Sequence, residues 1–152
     1  MVGEIVQLSI SRGGVPKHAV LEAQVTILGL AGDKQKNRRL HGGPERALCL
    51  YAIEVIDRLR GEGHPIAPGS TGENLTLRGV PWTDVHIGDR LALGAEVLIE
   101  ISSLTVPCRN IAASFADGGF TRLRAHGESR LYARVLREGV LRPGDRAERL
   151  AR

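Results

Sequence analysis

The sequence predicts a mainly-β fold, a curled barrel with helices at its periphery. Three observations carry this reading. Apolar residues alternate over short runs, most clearly where Val97, Ile99 and Ile101 alternate with Leu98, Glu100 and Ser102. Glycine, proline and aspartate punctuate the runs, as at Gly13-Gly14, Pro16 and Pro143-Gly144-Asp145. The regular strand–helix alternation that a parallel α/β sheet needs does not occur.

The strand elements follow in chain order. GEIVQLSIS near the N-terminus alternates in part and reads as a strand. AVLEAQVTILGL has alternating segments ending at Gly29 and reads as one long strand or a hairpin pair. AGDKQKNRRLHGG is polar, basic and glycine-rich, and reads as a loop. Pro44 suits the first position of a helix, where its missing donor costs nothing. Leu48, Tyr51, Val55 and Leu59 then recur at helical spacing, so a helix is expected from Pro44 to Arg60, ended by Gly61. The loop GEGHPIAPGSTGENL leads to two short strands, around TLRGV and VHIGDRLALG. AEVLIEISSL is the most strand-like run of the chain. Beyond Cys108 the pattern turns helical, weakly from Ile111 to Phe115 and better from Ser129 to Arg137. The turn at Pro143-Gly144-Asp145 leads into a closing strand. Gly-Asp recurs at Gly32-Asp33, Gly88-Asp89 and Gly144-Asp145, and turn chemistry accounts for it: glycine permits positive φ and aspartate caps its own turn.

Composition bounds the function. The 152 residues form one domain, 1–152, able to bury a real core. Two cysteines are too few for a disulfide scaffold and cannot alone complete a four-ligand zinc site. MVGEIVQL has no basic region leading into an apolar run, and no run approaches the ~20 apolar residues of a membrane span. A cytoplasmic protein with no membrane partner is expected. The formal charge of +4, mostly arginine, suits phosphate-bearing ligands. Aromatics at 3% argue against a base-stacking surface, hence against nucleic acid as a partner.

Four stretches can carry chemistry. Cys108 stands where a strand ends, behind Pro107, which fixes the local backbone. Arg109 beside it and a helix start after it favour the thiolate, which can attack, carry sulfur or bind a soft metal. A core cysteine at a strand end is the competing account. Cys49, between Leu48 and Leu50, reads as a packed, inert thiol. In HGGPERA, His41, Gly42 and Gly43 precede the Pro44 helix, with Arg38, Arg39 and Arg46 nearby; this is either an anion seat or a solvated basic loop. In GSTGENLT, Glu73 and Asn74 follow a tight glycine path and either face a ligand or bridge backbone groups. Arg122, Arg124, His126 and Arg130 extend a positive pocket if their segment folds beside Cys108. Trp82, after Pro81, reads as a packing residue.

In order and spacing, these stretches resemble the MOSC domain family, named after the C-terminal part of molybdenum cofactor sulfurases. The resemblance takes in Gly32-Asp33, HGGPERAL, PGSTGENLT, VHIGDRLALG, the Val106-Pro107-Cys108 triplet and YARVLREGVLRPGD. It implies a MOSC-like β-barrel with a pocket facing one cysteine, Cys108, that ligates the molybdenum of a pterin cofactor or carries sulfur. It likewise implies cofactor contacts at His41, Gly42, Gly43, Arg46, Glu73, Asn74 and Arg109. The implied function is reduction of N-hydroxylated compounds as a small-molecule substrate class. The alternatives are a sulfur carrier with a persulfide on Cys108 and a non-catalytic module for a phosphate-bearing molecule. Many members carry a basic residue shortly before the proline-cysteine pair, where this chain has Leu104, Thr105 and Val106. No pyridoxal-phosphate domain, added N-terminal barrel or iron-sulfur cysteine cluster is read in these 152 residues, and none is expected. An electron donor or sulfur donor is therefore expected to be a separate protein.

Overall fold

The computed structural model describes residues 2–34 and 43–152. Among them, eleven strands and one α-helix follow the chain in order. The strands before the helix are β1 (Gly3–Ile10), β2 (His18–Val20), β3 (Ala23–Thr26), β4 (Gly29–Leu30) and β5 (Leu48–Ala52). Then come α1 (Ile53–Gly61), β6 (Leu75–Arg78), β7 (Arg90–Leu93), β8 (Val97–Leu104), β9 (Leu131–Arg137), β10 (Gly139–Leu141) and β11 (Arg146–Arg149).

Seven strands close into a barrel. The ring runs β11-β7-β8-β9-β5-β6-β1, and β1 pairs back onto β11 through Gly3 opposite Ala147. Closure leaves no free edge in that ring, which is how an all-β core avoids edge pairing. The other end of β1 pairs with β2, and β10-β3-β4 form a small separate sheet. All these pairings are antiparallel except β5 with β6, where Leu50 stands opposite Leu75 in a parallel register. Parallel neighbours need a crossover. Helix α1 lies in it, burying Ile53, Val55, Ile56 and Leu59 and exposing Glu54, Asp57 and Arg58. Leu8, Leu48, Leu50, Leu75, Leu77, Leu91, Leu93, Ile99 and Ile101 fill the barrel interior.

The strand readings of β1, β6, β7, β8 and β11 hold, and AVLEAQVTILGL becomes β2 followed by the β3–β4 hairpin. Two helical expectations do not hold. The stretch from Pro44 to Arg60 is not one helix: Pro44–Arg46 is a single 3-10 turn, Leu48–Ala52 is strand β5, and only Ile53–Gly61 is α-helical. Every residue of β5 is buried, on both faces, so its apolar run has no period to read. Ser129–Arg137 is likewise not a helix but leads into β9, which pairs with β5 on one side and β8 on the other. Leu, Ala and Arg there favour helix locally, and the two flanking strands override them. Trp82 packs as expected: it is buried and its indole N–H donates to the Ser129 carbonyl at 3.0 Å. Among the described residues, no helix is long and apolar enough to cross a membrane.

Candidate functional site: the cavity beside Cys108

Cys108 is placed by the chain on either side of it. Strand β8 ends at Leu104, and a 3-10 helix, Arg109–Ser114, begins directly after the cysteine. Cys108 caps it in an extended conformation, and its carbonyl accepts from the Ile111 N–H at 3.1 Å. Ser114 ties that helix to the glycine loop through the Ser70 hydroxyl at 2.8 Å. The Cys108 side chain is half-buried and faces a cavity of about 60 Å³.

Five separated segments wall this cavity: Gly14 to Lys17, Arg46 to Cys49, Thr71 to Asn74, Cys108 to Ile111 and Arg130 to Tyr132. The glycine loop can come so close only because two of its residues lack a side chain. A Cβ on Gly69 would stand 2.5 Å from the Lys17 carbonyl, and one on Gly72 would stand 2.8 Å from Val15 Cγ1. Both glycines also have positive φ.

The lining is cationic. Lys17, Arg46 and Arg130 all reach it, and no carboxylate lines it among the described residues. Lys17 is buried and pairs with the buried Asp33 at 2.6 Å. Asp33 is further held by the Ser11 N–H at 2.9 Å and the Asn74 amide at 2.9 Å. Of the three Gly-Asp pairs, Asp89 and Asp145 do cap their own turns, accepting from the N–H groups of His86 and Arg142 at 2.9 Å each. Asp33 instead anchors the cavity wall. Arg46 lies over the Tyr132 ring, 5.6 Å from its centre, within reach of a cation–π attraction. Burial pushes the Tyr132 phenol well above the usual tyrosine range, so it keeps its proton. Burial likewise pushes the Cys49 thiol up, against the pull of Arg130 and Lys17. Cys49 is buried as expected, but in a strand, with its sulfur 3.9 Å from the Thr105 hydroxyl.

The residues anticipated from sequence divide accordingly. Cys108, Arg46 and Asn74 meet at the cavity. Asn74 is at the same time committed to structure. Its side-chain oxygen accepts from the Cys49 N–H at 3.0 Å, and its amide also donates to the Ser9 carbonyl at 3.2 Å. Glu73 is fully buried away from the cavity, accepting from the Gly69 N–H at 3.0 Å and from the hydroxyls of Thr71 and Thr76 at 2.9 and 3.1 Å. Burial raises its carboxyl above the ordinary range, opposed by those hydrogen bonds. Arg109 is exposed and does not line the cavity, and neither does Gly43, which is exposed at φ +89°. His41 and Gly42, with Arg38 and Arg39, lie outside the described residues. Of the second basic group only Arg130 reaches the cavity: Arg122 pairs with Glu62 at 2.8 Å, and His126 lies against the Thr83 carbonyl at 2.7 Å. Lys17 and Tyr132 are lining residues that sequence reasoning did not single out. A lone lysine after a proline turn carries no pattern that marks it.

A thiol on a small cavity lined by cations can hold a soft metal, form a persulfide, or face an anionic group of a ligand. No group of three or more His, Cys, Asp or Glu side chains among the described residues is placed to hold a metal ion by itself.

Known proteins resemble this chain over most of its length. The MOSC domain profile matches residues 37–148. Protein YflK of Bacillus subtilis is 33% identical over 123 residues, covering 80% of this chain and 55% of its own. Protein YiiM of Escherichia coli is 35% identical over 98 residues, covering 62% of this chain and 43% of its own. A Gibberella moniliformis protein named reductase is 32% identical over 129 residues, 82% of this chain and 23% of its own. The chain thus spans about half or less of the curated relatives it matches. Among solved structures, YiiM from Geobacillus stearothermophilus superimposes with a TM-score of 0.79 at 26% identity, covering 99% of this chain and 76% of that one. YiiM from Escherichia coli superimposes with a TM-score of 0.74 at 26% identity, covering 100% and 71%.

Proposed function

Because the chain belongs to the MOSC domain family, we propose that the Cys108 cavity receives the metal end of a molybdenum-bearing pterin, with the Cys108 sulfur as its protein ligand. In this reading the protein reduces N-hydroxylated compounds, with electrons supplied by a separate donor protein. One observation carries it: a half-buried thiol and three cations share a cavity that no carboxylate lines among the described residues. The donor set fits the group. Thiolate is a soft ligand. With no side-chain cluster to complete a coordination sphere among the described residues, a metal at Cys108 must bring most of its ligands along, as a metal carried on a pterin does. A cavity of about 60 Å³ takes a group of a few heavy atoms.

The bound cofactor supplies the redox chemistry. The chain's own residues hold and orient. Pro107 and the 3-10 helix after Cys108 fix the sulfur, and Lys17, Arg46 and Arg130 oppose the negative charge of an anionic ligand. Tyr132 and Cys49 keep their protons, so neither adds negative charge to the wall. The name of the Gibberella relative supports a reductive role.

The test compares wild type and Cys108→Ser purified from a host that makes molybdenum cofactor. Molybdenum, pterin and sulfane sulfur are measured on each. The expected result is molybdenum and pterin on the wild type, both lost in the variant, whose melting temperature matches that of the cofactor-free wild type. Sulfane sulfur without metal on the wild type replaces this reading with a sulfur carrier. Equal metal, equal sulfane sulfur and equal activity in both proteins overturn the assignment and leave a non-catalytic binding module.

A further inference from the structure

Arg130 is a buried cation that forms no ion pair among the described residues. It is 5% exposed and lines the Cys108 cavity. Its Nη1 donates to the Thr71 carbonyl, and its Nε finds no partner among the described residues. The carboxylates of Asp33 and Glu73 are committed elsewhere: Asp33 to Ser11, Lys17 and Asn74, and Glu73 to Gly69, Thr71 and Thr76. A guanidinium held out of water with a donor unmet is costly. The fold nevertheless fixes it there. The Tyr51 hydroxyl donates to the Glu128 carbonyl at 2.7 Å and the Trp82 indole to that of Ser129 at 3.0 Å, pinning the two residues before it. The Thr105 N–H then donates to the Arg130 carbonyl at 3.0 Å. This bond sets Arg130 across from the strand end that leads into Cys108, where Leu104, Thr105 and Val106 bring no cation of their own.

We propose that Arg130 seats a tetrahedral oxyanion in this cavity, beside the Cys108 sulfur. A guanidinium presents its donors as a planar fork suited to such an anion. Lys17 lines the same wall and uses one of its three ammonium donors on Asp33. The cavity, about 60 Å³, has room for a small group of this kind. The anion is either a free ion of the phosphate, sulfate or molybdate kind, or the phosphate end of a larger ligand. The seat does not depend on a metal at Cys108.

The test uses protein made in a host without molybdenum cofactor. Alkylation of Cys108 by iodoacetamide, a neutral reagent, is timed against added phosphate, sulfate, molybdate or phenyl phosphate, with chloride holding ionic strength constant. The wild type is expected to show saturable protection by the oxyanions and none by chloride. Arg130→Met should need about tenfold more oxyanion or worse, since a charge-assisted hydrogen bond is lost. Arg122→Met, whose partner is Glu62, should match the wild type. If Arg130→Met does not fold, Arg130→Lys takes its place: it keeps the charge and loses the fork, and weaker protection is expected. Protection no better than chloride in the wild type, or unchanged in the folded Arg130 variant, overturns the proposal. Phenyl phosphate protecting at lower concentration than phosphate identifies the end of a larger ligand; the opposite order identifies a free ion. Molybdenum content plays no part in the readout, so this result and that for the proposed function can fail separately.

Discussion

The Asn74 amide and the Asp33 carboxylate meet at 2.9 Å, across 41 residues of chain. Through that bond the glycine loop is fastened to the wall that holds Lys17. Asn74, itself 1% exposed, also satisfies the Cys49 N–H and the Ser9 carbonyl. Asn74→Ala should therefore cost about 3 kcal/mol of stability, measured by thermal or denaturant unfolding, because it strands buried partners. Asn74→Asp should be worse than alanine at neutral pH, since it sets a second carboxylate against Asp33. A melting temperature unchanged by either substitution would show that the bridge contributes nothing.

The ion pair on the other side of Asp33 behaves as a buried pair. Lys17 and Asp33 are only 6% and 2% exposed in their side chains. Removing one partner, as in Lys17→Met, should cost about 3–5 kcal/mol, because the remaining charge is left without its counter-ion. Adding Asp33→Asn to that variant should recover part of the loss. A double-mutant cycle in urea reads the coupling directly.

The two thiols should separate cleanly by reactivity. Cys108 is half-buried at the cavity, whereas burial raises the Cys49 thiol and closes it off. Iodoacetamide followed by peptide mass analysis should label Cys108 in the folded protein and Cys49 only after unfolding. Comparable labelling of both under native conditions contradicts this placement.

Glycine positions offer a contrast in mechanism. Gly69→Ala meets both a positive φ and the Lys17 carbonyl at 2.5 Å, so it should cost more than ~2 kcal/mol. Gly63→Ala has a positive φ but nothing within 4 Å, so it should cost only the ~1–2 kcal/mol of the left-handed backbone. Equal losses would show that the loop can move away from Lys17.

Asp89 sets an acid-side expectation. Arg152 first, and then the His86 N–H, hold its carboxyl below the usual aspartate range, with hydrogen bonds of 2.9 Å. The ionised form is favoured by folding. Its contribution is therefore present above the ordinary value of ~3.9 and is lost as pH falls through the lower folded value. Asp89→Asn should cost about 1–2 kcal/mol at neutral pH, and its stability should fall less steeply than that of the wild type below about pH 4.

Sequence pattern reached the strands that have one buried and one half-exposed face. Val97, Ile99 and Ile101 are buried while Leu98, Glu100 and Ser102 are not, and that alternation is visible in one dimension. It failed at β5, where Leu48 to Ala52 are all buried and the neighbours on both sides decide the conformation. At the site, Cys108 was legible because proline, cysteine and a following helix start are adjacent in the chain. Lys17, Tyr132 and the commitment of Arg130 were not. Their roles arise from contacts between segments tens of residues apart, such as Arg130 with Thr71. Glu73 and Asn74 adjoin in sequence, yet the loop just before β6 turns one into its own interior and lets the other reach the cavity wall.

The five-segment wall has a thermodynamic consequence. No single stretch of the chain contains more than a fraction of the cavity, so the unfolded polypeptide has nothing equivalent to offer. Any molecule that fits there binds the folded state alone, and folding and occupancy become one linked equilibrium. A ligand held at a hundred times its dissociation constant would add about 2.7 kcal/mol to the unfolding free energy. The melting temperature of the whole barrel thereby becomes a sensor for the cavity's contents, and a panel of small anions and pterins can be ranked by heating alone.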